Sequence, residues 1–251
     1  MNLRQVALVA EQLAPVRQDI FAVLGIDADF ADNGVAEFGL ENSVMTIGKT
    51  FLEVVAPVQE NTTAGRLLAR RQGNGGYMVI AQVGTGEIEA VSTRMDTLGI
   101  RKVWQVDRDE VTAFHIHPSD IGAAIVSFDE MRPASEWLWA GPGWQQRPAK
   151  LVTAISGVTL QAEDPEAIAR RWATAFDRAA NFEGSAFVLR LDNGEIRFEE
   201  ASDGRGDGVA AVLFETPALA PIMEVAAERG ISRVEDELLV CGTRFQFREM
   251  K

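Results

Sequence analysis

The stretch "VALVAEQLAPVRQDIFAVLG", Val6 to Gly25, decides the fold because a related stretch occurs again later in the chain. Its counterpart is "VTLQAEDPEAIARRWATAFD", Val158 to Asp177. Each begins with the alternation of a half-buried strand and continues with apolar residues at helical spacing. The repeat therefore predicts a strand followed by an amphipathic helix at two separate places.

Two further pairs of segments extend this repeat. "LGIRKV" from Leu98 and "RGISRV" from Arg229 both read as a helix that ends at a glycine before a new strand begins. "GKTFLEVV" and "GEIRFEEA" place Glu53 opposite Glu199. The pairs together predict the order strand, helix, several strands, repeated four times in two halves of the chain.

The two halves meet in "MRPASEWLWAGPGWQQRPAK", Met131 to Lys150, which is rich in Pro and Gly and is predicted to be a linker. We predict domains at residues 1–130 and 151–251 on either side of it. Three of the five tryptophans lie in the linker. Because a solvated linker rarely carries tryptophan, we expect it to pack against the domains or to line the mouth of a cavity.

Composition excludes several classes of function. The 251 residues carry a formal net charge of −13, which argues against a nucleic-acid partner. A single cysteine, Cys241, excludes a disulfide framework and a thiolate zinc site. The sequence has no run of about 18 apolar residues and no basic, then apolar, leader. We therefore expect a soluble cytoplasmic protein without a membrane partner.

Two glycine-rich stretches carry no recognisable ion-binding pattern. "RQGNGGY", which ends at Tyr77, lacks the ending of a phosphate loop and precedes a strand rather than a helix. "EEASDGRGDG", from Glu199 to Gly208, lacks the ligand spacing of a helix-loop-helix calcium site. The second stretch is predicted to be a solvated loop.

Four segments resemble the vicinal oxygen chelate superfamily, which includes glyoxalase I, methylmalonyl-CoA epimerase, extradiol dioxygenases and bleomycin-resistance proteins. They are "QVALVAEQLAPVRQDIFAVLGI", "GKTFLEVVAP", "GGYMVIAQV" and "FHIHPSDIGAAIVSFD". The resemblance implies an α+β fold of tandem βαβββ modules, four of them in two domains of this type, which form cup-shaped mixed sheets. The second half matches more weakly, mainly through the internal repeats.

The resemblance also implies a divalent metal held by the first and last strand of each module. Carried over residue by residue, the ligand positions fall on Gln5, Glu53, Met78 and Ser127. A thioether suits these ions poorly, and the family usually has Glu where this chain has Ser127. We therefore expect no metal cofactor, although a divalent metal stays possible with this incomplete set of ligands.

His115 and His117 are the only histidines, and residues two apart on a strand face the same side. They are candidates for metal ligation or acid-base work. Pro118, however, favours a turn directly after them, so His117 is also a candidate for holding that loop through backbone hydrogen bonds. The sequence leaves both interpretations open.

The catalytic hypothesis places Glu53 in the cup as a general base that removes a proton next to a carbonyl. His115 or His117, the Tyr77 hydroxyl and the Gln5 amide are candidates to stabilise the resulting oxyanion. The candidate ligand-binding residues are Gln5, Tyr77, Met78 and Ser127.

The resulting hypothesis is a lyase or isomerase of the glyoxalase or epimerase type, acting on a small carbonyl compound or thioester. A non-catalytic small-molecule binding protein of the bleomycin-resistance type is the alternative. A metal-dependent enzyme, including a dioxygenase, is a third. The expected partner is a small molecule, and the expected state is a monomer or homodimer.

Overall fold

The structure is a computed structural model that describes residues 1–250. It contains two mixed β-sheets, one of seven strands from the first half of the chain and one of eight strands from the second half. The strands are β1 Asn2–Val9, β2 Leu40–Ile47, β3 Thr50–Pro57, β4 Gly75–Gln82, β5 Lys102–Arg108, β6 Val111–Ile116, β7 Ile125–Met131, β8 Ala154–Ala162, β9 Ala180–Glu183, β10 Ala186–Arg190, β11 Glu195–Glu200, β12 Gly208–Thr216, β13 Arg233–Val234, β14 Glu237–Val240 and β15 Thr243–Glu249.

Six α-helices accompany the sheets: α1 Leu13–Leu24, α2 Thr63–Arg71, α3 Ile88–Thr97, α4 Pro118–Ile121, α5 Pro165–Phe176 and α6 Ala220–Glu228. The predicted strand-helix repeats correspond to β1 with α1 and β8 with α5. Gly99 and Gly230 adopt left-handed backbone conformations shortly after α3 and α6, as the sequence pattern predicts. Within residues 1–250, no helix has the length and apolarity needed to cross a bilayer.

The two sheets share one topology. In the first, β1 and β4 form a central antiparallel pair, and each also pairs in parallel with the last strand of its own module, β3 or β7. In the second, β8 and β12 form the central pair, with β11 and β15 as their parallel partners. The predicted α+β fold with modules paired into two mixed sheets is confirmed.

The first module departs from the βαβββ pattern. Where the other three modules have the first of their three strands, this module has a single bridge between Phe30 and Val44, followed by a 3₁₀-helix at Asn33–Phe38. The Asp32 side chain accepts a hydrogen bond from the Gly34 amide, and Gly39 ends the turn in a left-handed conformation. The local sequence is rich in Asp, Asn and Gly, which favour turns over strands.

Alternation along the strands divides each sheet into two faces. Alternate residues such as Leu8 and Phe128 turn toward the helices and join a hydrophobic core that also contains Trp172 and Phe214 of the second half. Phe128 contacts Phe176 across the two halves, with ring centroids 5.0 Å apart. The two halves therefore share one core on their helix-covered faces, which leaves the opposite face of the first sheet for a site.

The segment between β7 and β8 packs onto the first sheet. It contains two short 3₁₀-helices, Leu138–Ala140 and Trp144–Gln146. Trp137 and Trp144 are buried against Phe51, with ring centroids 5.8 and 5.2 Å apart. The tryptophans of the linker thus pack against a domain, as their composition suggested.

Two arginines connect the glycine-rich loops of the two halves. Arg71 at the end of α2 donates to the backbone carbonyls of Arg205, Gly206 and Asp207 at 2.7–3.3 Å. In return, Arg205 donates to four carbonyl oxygens, those of Arg71, Gly73, Asn74 and Gly242. The prediction of a solvated loop is wrong for Arg205, because its side chain donates hydrogen bonds to backbone carbonyl groups of other segments.

Replacement of Arg205 by glutamine tests this connection. The variant leaves several backbone carbonyls without a charged donor, so we expect a loss of about 2–4 kcal/mol in the free energy of unfolding. The exposed Arg170→Gln is the control and should change stability by less than about 0.5 kcal/mol. Urea denaturation measures both. Equal stability of the two variants would show that the connection contributes nothing.

Candidate active site

A cavity of about 600 Å³ lies on the face of the first sheet that the helices leave uncovered. Its walls come from the central strands, the 3₁₀-helix Asn33–Phe38 and the linker. Most of the lining is apolar, and its aromatic members are Phe30, Phe38, Tyr77, Trp104, Trp137 and Trp139. Six carboxylates and two arginines also line it, and of the carboxylates only Glu53 and Asp129 are buried. A largely apolar cavity with a few polar groups is a candidate site for a small molecule. We call this cavity the cup.

Glu53 lies on β3 beside Ala7 of β1 and is only 6% exposed. Its two oxygens accept hydrogen bonds from amide groups, Oε2 from Gln5 Nε2 at 2.8 Å and Oε1 from Asn42 Nδ2 at 2.6 Å. Burial raises the pKa of Glu53, and these two hydrogen bonds only partly offset that rise. The carboxylate is therefore desolvated and has neutral partners.

Both amides are fixed in orientation by their other partners. The indole Nε1–H of Trp137 can only donate, and it donates to Gln5 Oε1 at 2.7 Å. Asn42 Oδ1 accepts from the Asp32 backbone amide at 2.8 Å. Each amide therefore turns its NH₂ group, and not its carbonyl oxygen, toward Glu53. The carboxylate thus has two hydrogen-bond donors as partners.

Asp129 is a second buried carboxylate, which the sequence analysis missed. It lies on β7, is 1% exposed, and accepts from Ser127 Oγ at 2.5 Å and from Trp139 Nε1 at 2.6 Å. Burial raises the pKa of Asp129 to about 6, and the two hydrogen bonds lower it by a smaller amount. The available signal was spacing, since Asp129 follows Ser127 by two residues and so shares its strand face.

Tyr77 and Met78, at the start of β4, both line the cup. Burial and the charge of Glu53 raise the pKa of Tyr77 to about 12, so its hydroxyl stays protonated at neutral pH. Among the side-chain hydrogen bonds of residues 1–250, none involves this hydroxyl. Tyr77 is thus a proton-bearing donor in the same cavity as Glu53.

The structure separates the two histidines. His115 lies in the wall of the cup against Trp104, with ring centroids 4.4 Å apart, and burial lowers its pKa to about 4. His117 lies beyond the end of β6, where its Nδ1 accepts from the Ser119 amide at 3.1 Å and caps α4. The neutral imidazole of His115 is the one that faces the cup.

Five of the seven candidate residues from the sequence line one cavity: Gln5, Glu53, Tyr77, Met78 and His115. Ser127 is buried and does not line the cup, but its hydroxyl donates to Asp129, which does. His117 holds the start of α4 outside the cup. The roles of these residues stay predictions.

The residues at the family's metal positions do not fit a metal ion. The ligating atom of Gln5, its carbonyl oxygen, accepts from Trp137, and both Glu53 oxygens accept from amides. The third position is a thioether, a poor ligand for the hard ions concerned. Within residues 1–250, no three His, Cys, Asp or Glu side chains are grouped so that they could hold a metal.

The corresponding face of the second sheet carries different chemistry. The position that matches Gln5 is Gly157, which pairs with Glu195 of β11. Glu199, the counterpart of Glu53 in the sequence repeat, forms an ion pair with Arg244. Glu199 thus has a charged partner and is partly exposed, whereas Glu53 is buried between two neutral amides.

Comparisons with known proteins place these features in context. The family model described as the glyoxalase-like domain matches residues 6–176, more than half of the chain. No curated protein gives a significant match to the sequence.

Solved structures with a similar fold share little sequence with this chain. A hypothetical protein from Staphylococcus aureus is 13% identical with a TM-score of 0.68, and the match covers 99% of both chains. A triple mutant of 4-hydroxymandelate synthase from Streptomyces coelicolor is 13% identical with a TM-score of 0.71, covering 92% of this chain and 75% of the other. A variant of methylmalonyl-CoA epimerase from Streptomyces coelicolor is 15% identical with a TM-score of 0.45, covering 52% and 97%.

The raised pKa of Asp129 predicts how stability depends on pH. A carboxyl group whose pKa is higher in the folded state stabilises the fold below its unfolded pKa, and that contribution is lost as the pH rises through about 6. Asp129→Asn does not titrate. The stability of the wild type relative to this variant should therefore fall by up to about 3 kcal/mol between acidic and neutral pH. Urea denaturation across this range measures the difference, and a constant difference would contradict the assignment.

Proposed function

Because the chain belongs to the family of the glyoxalase-like domain, we propose that it is an enzyme that removes a proton from the carbon next to a carbonyl group. The proposed substrate is a small carbonyl compound or a thioester. The observation that supports this proposal is the environment of Glu53, a buried carboxylate that lines the cup. Within residues 1–250, the only hydrogen-bond partners of this carboxylate are two neutral amides.

The environment of Glu53 suits a general base. A base works best when its pKa lies near the pH at which the enzyme operates, and an ordinary exposed glutamate is too weak a base for this. Burial raises the pKa of Glu53, the nearby charge of Asp32 adds to the rise, and no arginine or lysine opposes it. The carboxylate should therefore bind a proton more readily than a surface glutamate does.

The proposed reaction begins when a Glu53 oxygen takes the proton from the substrate carbon. The electron pair of the broken C–H bond moves to the carbonyl oxygen and forms an enolate. The Tyr77 hydroxyl, which stays protonated, is the proposed donor to this oxygen. Return of a proton to the carbon gives an isomerase, and departure of a leaving group from the next atom gives a lyase.

Asp129 is the proposed second acid-base group. It belongs to the other module of the first sheet and lines the same cup. Its pKa of about 6 allows both protonation states near neutral pH. Asp129 is thus able to return a proton to a substrate that Glu53 has deprotonated.

Glu53→Gln tests the proposed function. Exchange of the substrate's α-proton for deuterium in D₂O, followed by NMR with a panel of carbonyl compounds and thioesters, detects proton abstraction without knowledge of the final product. We expect the variant to exchange about 10²–10⁴-fold more slowly than the wild type, because an amide cannot accept the proton. The wild-type rate should rise with pH as Glu53 loses its proton.

The matched control is Glu41→Gln on the neighbouring strand, because Glu41 is an exposed glutamate outside the cup. This variant should exchange at the wild-type rate. Circular dichroism shows whether both variants retain the fold. Exchange by Glu53→Gln at the wild-type rate would refute the role of Glu53 as the base.

A small-molecule binding protein is the second candidate, favoured by the aromatic lining of the cup. Aromatic walls bind ligands through burial of apolar surface, for which no proton transfer is needed. In that case Glu53→Gln retains ligand affinity, and the wild type causes no exchange with any compound of the panel that it binds.

A further inference from the structure

A second cavity, of about 670 Å³, adjoins the cup. Its walls come from α2, the segment around α4, α5 and the loop at residues 205–207. Tyr77 and Ile125 line both this cavity and the cup. The two cavities therefore meet at these two side chains, and we call the second one the arginine groove.

The charge of the arginine groove is opposite to that of the protein as a whole. Four arginines line it, Arg66, Arg70, Arg171 and Arg205, and its one acidic lining residue is Asp207. The chain carries a net charge of −13. An anion repelled by most of the surface is thus attracted to this groove.

Two of these arginines are available to a ligand. Within residues 1–250, Arg70 and Arg171 form no ion pair and no side-chain hydrogen bond, and both are exposed. Arg66 donates to the Asn61 carbonyl and to Thr63 Oγ1, so it has no acidic partner either. Arg205 is fixed by backbone carbonyls, which neutralise none of its charge. The groove therefore holds several uncompensated positive charges.

We propose that the arginine groove binds a phosphate group carried at the far end of the substrate whose carbonyl end lies in the cup. This inference rests on the proposed function. Guanidinium groups match the oxygens of a phosphate in geometry and charge, and the hydroxyls of Thr63 and Ser119 line the same groove. Six carboxylates but only two arginines line the cup, so an anion is less favourable there than in the groove. The substrate is thus an elongated molecule with a neutral reactive end and an anionic tail.

Two pairs of measurements test this inference by calorimetry. Inorganic pyrophosphate alone should bind to the wild type and at least about tenfold more weakly to Arg70→Gln/Arg171→Gln. S-propionyl-4′-phosphopantetheine and S-propionyl-pantetheine carry the same thioester and differ only in the terminal phosphate. The phosphorylated probe should bind at least about tenfold more tightly to the wild type, and the double variant should bind both probes equally.

The control is Arg170→Gln/Arg178→Gln, which removes the same charge from exposed arginines outside the groove. It should retain both the pyrophosphate affinity and the preference for the phosphorylated probe. If pyrophosphate binds but the two thioesters bind equally, the groove is a separate phosphate site. That result would refute the proposal that the groove holds the anionic tail of the substrate. The preference for the phosphorylated thioester should be lost in Arg70→Gln/Arg171→Gln and kept in the control. If the double variant keeps it, or the control also loses it, the proposal that the arginine groove binds the phosphate is refuted.

Glu53→Gln separates this inference from the proposed function. The glutamate lies in the cup and not in the groove, so this variant should keep the preference for the phosphorylated probe. If exchange is unaffected by Glu53→Gln but the preference depends on Arg70 and Arg171, the groove stands and the catalytic role fails. If Glu53→Gln slows exchange but the preference does not depend on Arg70 and Arg171, the catalytic role stands and only the proposed phosphate site is refuted.

Discussion

The hydrogen bond from the Trp137 indole to Gln5 orders the first-half site. Because an indole N–H donates and never accepts, it fixes the carbonyl end of the Gln5 amide toward the linker and the NH₂ end toward Glu53. The tryptophan belongs to the segment that joins the two halves, whereas Gln5 belongs to the first strand. A contact between distant parts of the sequence thus determines the hydrogen bonds of a residue on a third segment, β3.

The same arrangement occurs at both buried carboxylates of the cup. Asp129 receives an indole N–H from Trp139 of the same linker and a hydroxyl from its own strand. At both sites the partners are neutral, so the loss of water around the carboxylate is the largest influence on its pKa. The second half differs in this respect, because Glu199 is paired with the charged side chain of Arg244.

Local patterns explain which features could be predicted from the sequence. The repeat of strand and helix is a matter of short-range periodicity, so it revealed the modules and the location of Gln5 and Glu53 on strands β1 and β3. The 3₁₀-helix that replaces a strand in the first module was not predicted, because the pattern of the other modules was extended to it.

Features that depend on contacts between distant segments were beyond the sequence. Asp129 was not predicted as a site residue, because its environment depends on the contact with Trp139 of the linker, ten residues further along the chain. Likewise, His115 and His117 have the spacing of neighbours on a strand, but β6 ends at Ile116 and the second histidine caps a helix. The contacts of the linker tryptophans join segments that are far apart in the sequence, and so do the hydrogen bonds of Arg205. The spacing of residues along the chain does not predict such contacts.

The 3₁₀-helix Asn33–Phe38 gives the cup one wall that does not belong to the sheet. Apart from the bridge at Phe30, this wall is free of the hydrogen-bond ladder that fixes the strands. Its length and side chains can therefore diverge among relatives without disturbing the register that positions Glu53 and Asp129. Substitutions in this wall would therefore alter the shape of the cup, while the strands keep Glu53 and Asp129 in place.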